Sequence, residues 1–270
     1  MPPQLIEIIK DLESEEKQQR KKSVLTWLDL LNIHYEIQKY STGENIISTI
    51  GNRPYVGVGS HYDVVLNCPG ANDNASAIAV TINILRKASQ DSLENIGVRG
   101  FFFDEEETGL KGSRAYVQQN GIREIIGVYN MELVGSGDKV ALWPVKYLKN
   151  TTLLKALEKT AKTQGIKTYR FPKIITNTAD HASFNKAGLK DAFTLTTITN
   201  EDLAMAPKYL LAMLKKSSGE KMNKIISQAP VFKHYHQPTD ISEHLSDDTL
   251  QMVSNLLWES IKEVDKTYKK

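Results

Sequence analysis

The chain has 270 residues, with 34 Lys and Arg against 32 Asp and Glu, a net charge of +2, and 40% hydrophobic and 24% charged residues. A balance this close to neutral gives no electrostatic basis for holding nucleic acid or an anionic membrane, and the composition is that of a folded domain. The length suits one large α/β domain or two small ones, and no linker, repeat or low-complexity tract divides it, so residues 1–270 read as one domain. The basic run Lys17–Lys22 and the lysines at the C-terminus read as solvated helix ends. Cys68 is the single cysteine, which excludes an internal disulfide and fits a reducing compartment. It reads as a loop cysteine without an activating partner. The N-terminus lacks an apolar run of signal-peptide length, and no window approaches the ~20 apolar residues of a membrane span. A cytoplasmic location is therefore expected.

In chain order, residues from about 4 to 33 look helical, with Val24, Leu25, Trp27, Leu28 and Leu31 at helix-face spacing. Tyr35, Ile37 and Lys39 alternate with polar neighbours, and a turn at STGEN leads to a second strand at Ile46–Ile50. The run Tyr55–Ser60 reads as a buried strand. Asn74–Ala88 reads as helix, Ile96–Phe103 as a buried strand, Gly112–Asn120 as helix and Ile125–Val134 as a strand. There follow a helix at Asn150–Gln164, strands at Lys167–Phe171 and Asp191–Ile198, and a closing helix at Asp247–Val264. Strands alternating with helices imply an α/β/α sandwich around a mostly parallel mixed sheet. Within 201–234, AMAPKYLLAMLKK has the pattern of an amphipathic helix, which either covers a site as a lid or packs at the periphery.

Polar residues collect where the expected strands end, the place where open α/β sheets bind ligands. SHYD follows the first buried strand, DEEE the second, and MELVG closes the third. Asp104–Glu107 place four acidic residues directly after three phenylalanines, a costly arrangement unless cations compensate. The candidates are His61, Asp63, Asp73, Glu105, Glu106, Glu107, Glu132, Asp180, His181, His234, His236 and Asp240. Imidazoles and carboxylates without cysteine form the ligand set of a catalytic zinc or related divalent site, and two cations would neutralise carboxylates that otherwise repel. Each residue has a plainer reading. His61 could be a hydrogen-bonded core histidine, Asp73 a helix N-cap and His236 a surface residue. Glu132 is harder to dismiss, because a Glu in an apolar strand needs a partner.

Six segments in order, GSHYD (59–63), GANDNAS (70–76), EETGLKGS (106–113), NMELVG (130–135), TADHASF (178–184) and YHQPTD (235–240), resemble the M28 family of zinc aminopeptidases. The resemblance implies two Zn²⁺, with Co²⁺ or Mn²⁺ as alternatives. Glu107 and His236 would bind one ion, His61 and Glu132 the other, and Asp73 both. It further implies Glu106 as general base, Asp63 as the residue that orients His61, and support from Asp180, His181 and Asp240. A cis bond at Asp73–Asn74 is also expected. The register Glu-Glu-x-Gly-Leu selects Glu106 and Glu107 and leaves Asp104 and Glu105 without an assigned role; His234 reads as a non-ligand neighbour. There are two departures from the family pattern. Glu132 stands where Asp is frequent, and Thr176 stands where some relatives carry an oxyanion-stabilising Tyr, which leaves Tyr235 or His181 as donors at hand. The implied activity is removal of N-terminal residues from peptides with a free amine. The rival readings are a single-zinc transferase like the glutaminyl cyclases, an M20-type hydrolase, for whose usual extra domain the chain lacks room, and a non-catalytic binding domain.

Overall fold

In a computed structural model, which describes residues 4–146, 149–172 and 178–268, eight strands form one sheet. They are β1 (Glu36–Lys39), β2 (Glu44–Ile50), β3 (Tyr55–His61), β4 (Gly97–Phe103), β5 (Ile125–Met131), β6 (Lys139–Trp143), β7 (Lys167–Arg170) and β8 (Ala192–Ile198). Their order is β1-β2-β4-β3-β5-β8-β6-β7. The central strands β4, β3, β5 and β8 run parallel, while β2 joins β4 and β6 joins β8 antiparallel. The mixed, mostly parallel sheet expected from the alternating pattern is therefore present, with its antiparallel pairings toward the edges. β3 and β8 are buried along their whole length, as strands covered on both faces must be.

The period of two explains the phenylalanine run. Phe102 joins the large core under the N- and C-terminal helices, and Phe101 and Phe103 join the cluster on the other face. There Phe101 and Phe103 stack at 5.1 Å, and Tyr116 meets Phe101 edge-on at 4.7 Å.

Helices α1 (Leu5–Leu12), α2 (Lys17–Leu30), α3 (Ser76–Gln90), α4 (Lys111–Asn120), α5 (Thr152–Thr163), α6 (His181–Lys186), α7 (Asn200–Leu214), α8 (Gly219–Ile226) and α9 (Asp247–Thr267) complete the chain. The single helix expected over residues 4–33 is in fact two. Around the break, the Ser14 hydroxyl accepts a hydrogen bond from the Glu16 N–H, local bonding that competes with helix. The basic run is also not simply solvated: Arg20 is 0% exposed, and Lys17 and Lys21 pair with Asp104 and Glu44. Strand β6 and the six-residue α6 carried too short a pattern to be expected. Among the described residues no helix is long and apolar enough to cross a membrane.

Candidate active site

Because β3, β4 and β5 are parallel neighbours, their C-terminal ends open on the same edge of the sheet. His61 is the last residue of β3, Asp104–Glu107 follow β4, and Glu132 follows β5. The His61 ring is buried among carboxylates. Its Nε2 lies 3.3 Å from Asp73 Oδ1 and 3.4 Å from Glu132 Oε2, and its Nδ1 lies 3.3 Å from Asp63 Oδ1. On the other side of Asp73, Oδ2 lies 3.2 Å from His236 Nε2, which is 3.1 Å from Glu107 Oε1. One carboxylate thus faces two His–Glu pairs, a different oxygen toward each.

The turn that carries Asp73 is built for close approach. Gly70 has φ +66°, and the Asp73–Asn74 peptide is cis. Asp240, far along the chain, accepts from the Asn72 N–H at 2.8 Å and the Asp73 N–H at 3.0 Å. Asn74 Nδ2 donates to Glu132 Oε2 at 2.8 Å, and Asn130 Nδ2 donates to Glu132 Oε1 at 3.1 Å. These two amides fix the longer carboxylate arm of Glu132. Sequence reasoning did not single them out, although both sit inside the quoted segments GANDNAS and NMELVG.

The acidic turn is held by Asp63. Its Oδ1 accepts from the Glu106 N–H at 3.0 Å and its Oδ2 from the Glu107 N–H at 3.1 Å. Asp63 therefore sets the turn as well as facing His61. Asp104 points away, buried against Lys17 at 3.1 Å, and Glu105 pairs with Lys111 at 3.1 Å. Four successive acidic side chains thus go to three different environments. Tyr235 stacks on the His236 ring at 3.8 Å. His234 bonds Thr239 and stacks on His244, apart from the carboxylate cluster.

His181 is buried behind Trp143, edge-on at 5.3 Å, with Nδ1 2.6 Å from Thr194 Oγ1. Burial lowers its pKa to about 3, so the ring is neutral. It does not line the cavity of ≈ 220 Å³ bounded by His61, Asp73, Glu106, Glu107 and Glu132, whereas Tyr235 does. Asp180 is buried with no hydrogen-bond partner for either oxygen among the described residues, and burial raises its pKa to about 8. Thr176 lies outside the described residues. Cys68 is buried, and burial pushes its thiol up to about 12, which leaves it protonated.

The donor set fits divalent metal ions. His61, Asp73 and Glu107 offer ligand atoms within 4.8 Å of one another. Among the described residues Asp73 Oδ2 finds no hydrogen-bond donor of good geometry, although the His236 imidazole lies 3.2 Å from it. Burial pushes Glu106 well above the usual carboxylate range and raises Glu107 and Glu132. Burial opposes charge on the histidines, yet Glu132, Asp63 and Asp73 lift His61 well above its ordinary value. His236, beside the Asp73 carboxylate and hydrogen-bonded to Glu107, rises to about 10 against the same opposition. The cluster holds protons where a cation would serve.

The metal-free chain should therefore lose stability as pH rises. Glu106, Glu107, Glu132, Asp180 and His236 all bind protons more tightly folded than unfolded, so the folded state carries more protons above the ordinary carboxylate range of ~4. The stabilisation is lost progressively, through about 8 for Asp180 and about 10 for His236. Asp73, held well below the usual range by the two histidines despite burial, acts oppositely at acid pH. His181, lowered to about 3 by burial, acts oppositely up to the ordinary imidazole value of ~6.5, a single group against the several above. Melting temperature after EDTA treatment should fall between pH 5 and 8, and zinc should flatten the slope. A metal-free Tm that rises over that window would contradict this electrostatic account.

The model of Peptidase family M28 matches residues 45–261. The chain belongs to peptidase family M28. The M28 chain is 26% identical over 242 residues to aminopeptidase YwaD of Bacillus subtilis, a stretch covering 85% of this chain and 46% of that protein. The fold matches BSAP, a zinc aminopeptidase from Bacillus subtilis, with TM-score 0.63 and 23% identity over 84% of this chain and 52% of that one. It also matches the glutaminyl cyclase of Porphyromonas gingivalis, with TM-score 0.74 and 15% identity over 96% of this chain and 97% of that one. This M28 chain thus spans about half the length of the aminopeptidases it resembles.

Proposed function

We propose that the chain is a metal-dependent aminopeptidase that releases N-terminal residues from peptides, using two zinc ions, with cobalt or manganese as substitutes. The observation that supports this best is the division of the site by Asp73. His61 Nε2 faces both Oδ1 and Glu132, and His236 Nε2 faces both Oδ2 and Glu107. Each set offers one imidazole, one carboxylate and a share of the bridge, a combination suited to a divalent ion with positions left open. Such ions lower the pKa of a bound water from 15.7 toward ~7 and polarise a carbonyl.

The chain's own residues supply the rest. Glu106 lines the same cavity as His61, Asp73, Glu107 and Glu132, and burial favours proton uptake by its carboxyl, the direction that suits a group which takes up a proton and returns it. Its carboxylate takes the proton of the attacking water and returns it to the nitrogen of the departing amine. The surplus of acidic groups offers an anchor for the substrate's α-ammonium. Tyr235, which stacks on the His236 ring and lines the same cavity, would donate to the developing oxyanion.

Side chains between Asp202 and Phe232 line an apolar cavity beside this site. This cavity of ≈ 100 Å³ under α7 and α8 shares Trp143, Thr196 and Phe232 with the acidic cavity of ≈ 220 Å³. We assign it to the side chain of the substrate's first residue. A cavity of ~150 Å³ holds benzene, so ≈ 100 Å³ suits leucine or methionine better than tryptophan. Burying such a side chain is worth about 1.5–3 kcal/mol, so kcat/KM for Leu substrates should exceed that for Gly substrates roughly 10- to 100-fold. Equal rates for Gly, Leu and Asp substrates would remove this assignment.

The match along nearly the whole of a glutaminyl cyclase supports a second reading, a single-zinc transfer that cyclises N-terminal glutamine. Elemental analysis together with a panel of aminoacyl amides and N-terminal Gln peptides separates the two. About two metals per chain and hydrolysis support the peptidase. One metal and cyclisation would replace it.

A further inference from the structure

We propose that Arg20 is a positioning residue for the metal site, and that α1 and α2 form a clamp setting the spacing between the loops that carry its ligands. Arg20 lies ahead of the matched family residues, in a run whose charges suggest solvent, yet it is wholly buried. Its Nε donates to the Tyr62 carbonyl at 2.8 Å, one residue after His61. Its Nη1 donates to the carbonyls of Pro69 at 2.8 Å and Gly70 at 3.1 Å, the segment that leads into Asp73, and to Leu12 at 3.1 Å in α1. One planar guanidinium thus joins the His61 strand end, the Asp73 turn and the N-terminal helix.

The fit is close. A Cβ at Gly70 would stand 2.6 Å from the Asp73 carbonyl and 2.9 Å from Arg20 Nη1. The carboxylates of Asp73, Asp240 and Asp63 supply the countercharge for the buried cation, and Nη2 has no hydrogen-bond partner among the described residues. Burying an arginine without a directly bonded carboxylate is costly, so a purely structural plug would be met more cheaply by an apolar side chain. The same helices reach the other ligand loops. The Ser14 N–H donates to the Pro69 carbonyl at 3.1 Å. Glu13 accepts from the Ser242 N–H at 2.9 Å, just past the His236 loop, and Lys17 holds Asp104 at 3.1 Å at the head of the acidic turn.

The role rests on the metal-site reading above and makes a prediction of opposite sign from charge alone. A nearby cation repels a metal ion, so if Arg20 acted only through its charge, Arg20→Met would tighten zinc binding. If the fork positions His61 and Asp73, both Arg20→Met and Arg20→Lys weaken it, since lysine keeps the charge and loses the planar set of donors. Partners that hold metal ligands in place are typically worth 10- to 100-fold in affinity.

The test is zinc affinity by competition with a chromogenic chelator, run below the EDTA-treated Tm of each variant. Both variants should bind zinc 10- to 100-fold more weakly than the wild-type chain. A folded variant with affinity within twofold of wild type, or tighter, overturns the proposal. Metal-free unfolding of both variants overturns it too, because Arg20 would then be an element of the fold rather than of the site. A wild-type chain that takes up no zinc removes the metallopeptidase reading itself, a result distinct from any difference among the variants.

Discussion

Glu106→Gln should reduce kcat by 10²–10⁴ while the chain keeps its metal. That is about 3–5 kcal/mol of transition-state stabilisation. The geometry explains why the two effects separate. The main chain of Glu106 is fixed by Asp63, which accepts its N–H at 3.0 Å, and substitution of the side chain leaves that bond intact. The proposed ligands Asp73, Glu107 and Glu132 are held by their own partners, Asp240, Asp63 and the amides of Asn74 and Asn130. Glutamine also removes one of several like charges crowded in a buried site, so the metal-free variant should melt no lower than wild type. Elemental analysis, Tm and steady-state rates on one preparation decide the matter. A variant with full metal content and undiminished kcat would take the base role from Glu106.

Asp73→Ala should abolish both metal positions, leaving less than one ion per chain and no measurable hydrolysis. His236→Ala should remove only the position it shares with Glu107. The contrast follows from Asp73 being, among the described residues, the one carboxylate that meets both the His61 and the His236 imidazole, with Oδ1 toward His61 and Oδ2 toward His236. The turn itself should survive the change, because Asp240 grips it through the main-chain N–H groups of residues 72 and 73. Metal content after desalting is the readout. Two ions retained in Asp73→Ala would refute the bridging role. Equal losses in the two variants would mean that the positions are not independent.

Local pattern accounts for much of this architecture. Strand β3, strand β4 and helix α3 are apolar runs whose length and flanking residues leave one reading, and His61 and Glu132 were visible as polar residues where apolar strands run out. The register of the acidic turn came from the family resemblance, since Glu106-Glu107-Thr108-Gly109-Leu110 matches Glu-Glu-x-Gly-Leu and leaves the two residues before it outside the pattern. Local pattern therefore sets the strand ends and the donor types placed on them. The tertiary structure alone decided which donors meet. Asp240 grips the Asp73 turn from 167 residues away, and His236 reaches Glu107 from 129 residues away. The apolar cavity exists only where α7 and α8 close over β6 and β8. Arg20 shows the limit most clearly. Among lysines on a helix it has the pattern of a solvated face, and only the loops folded against that helix make it a buried donor to four carbonyls. A charge's environment depends on what packs against it, and packing partners distant in sequence leave no local period to read.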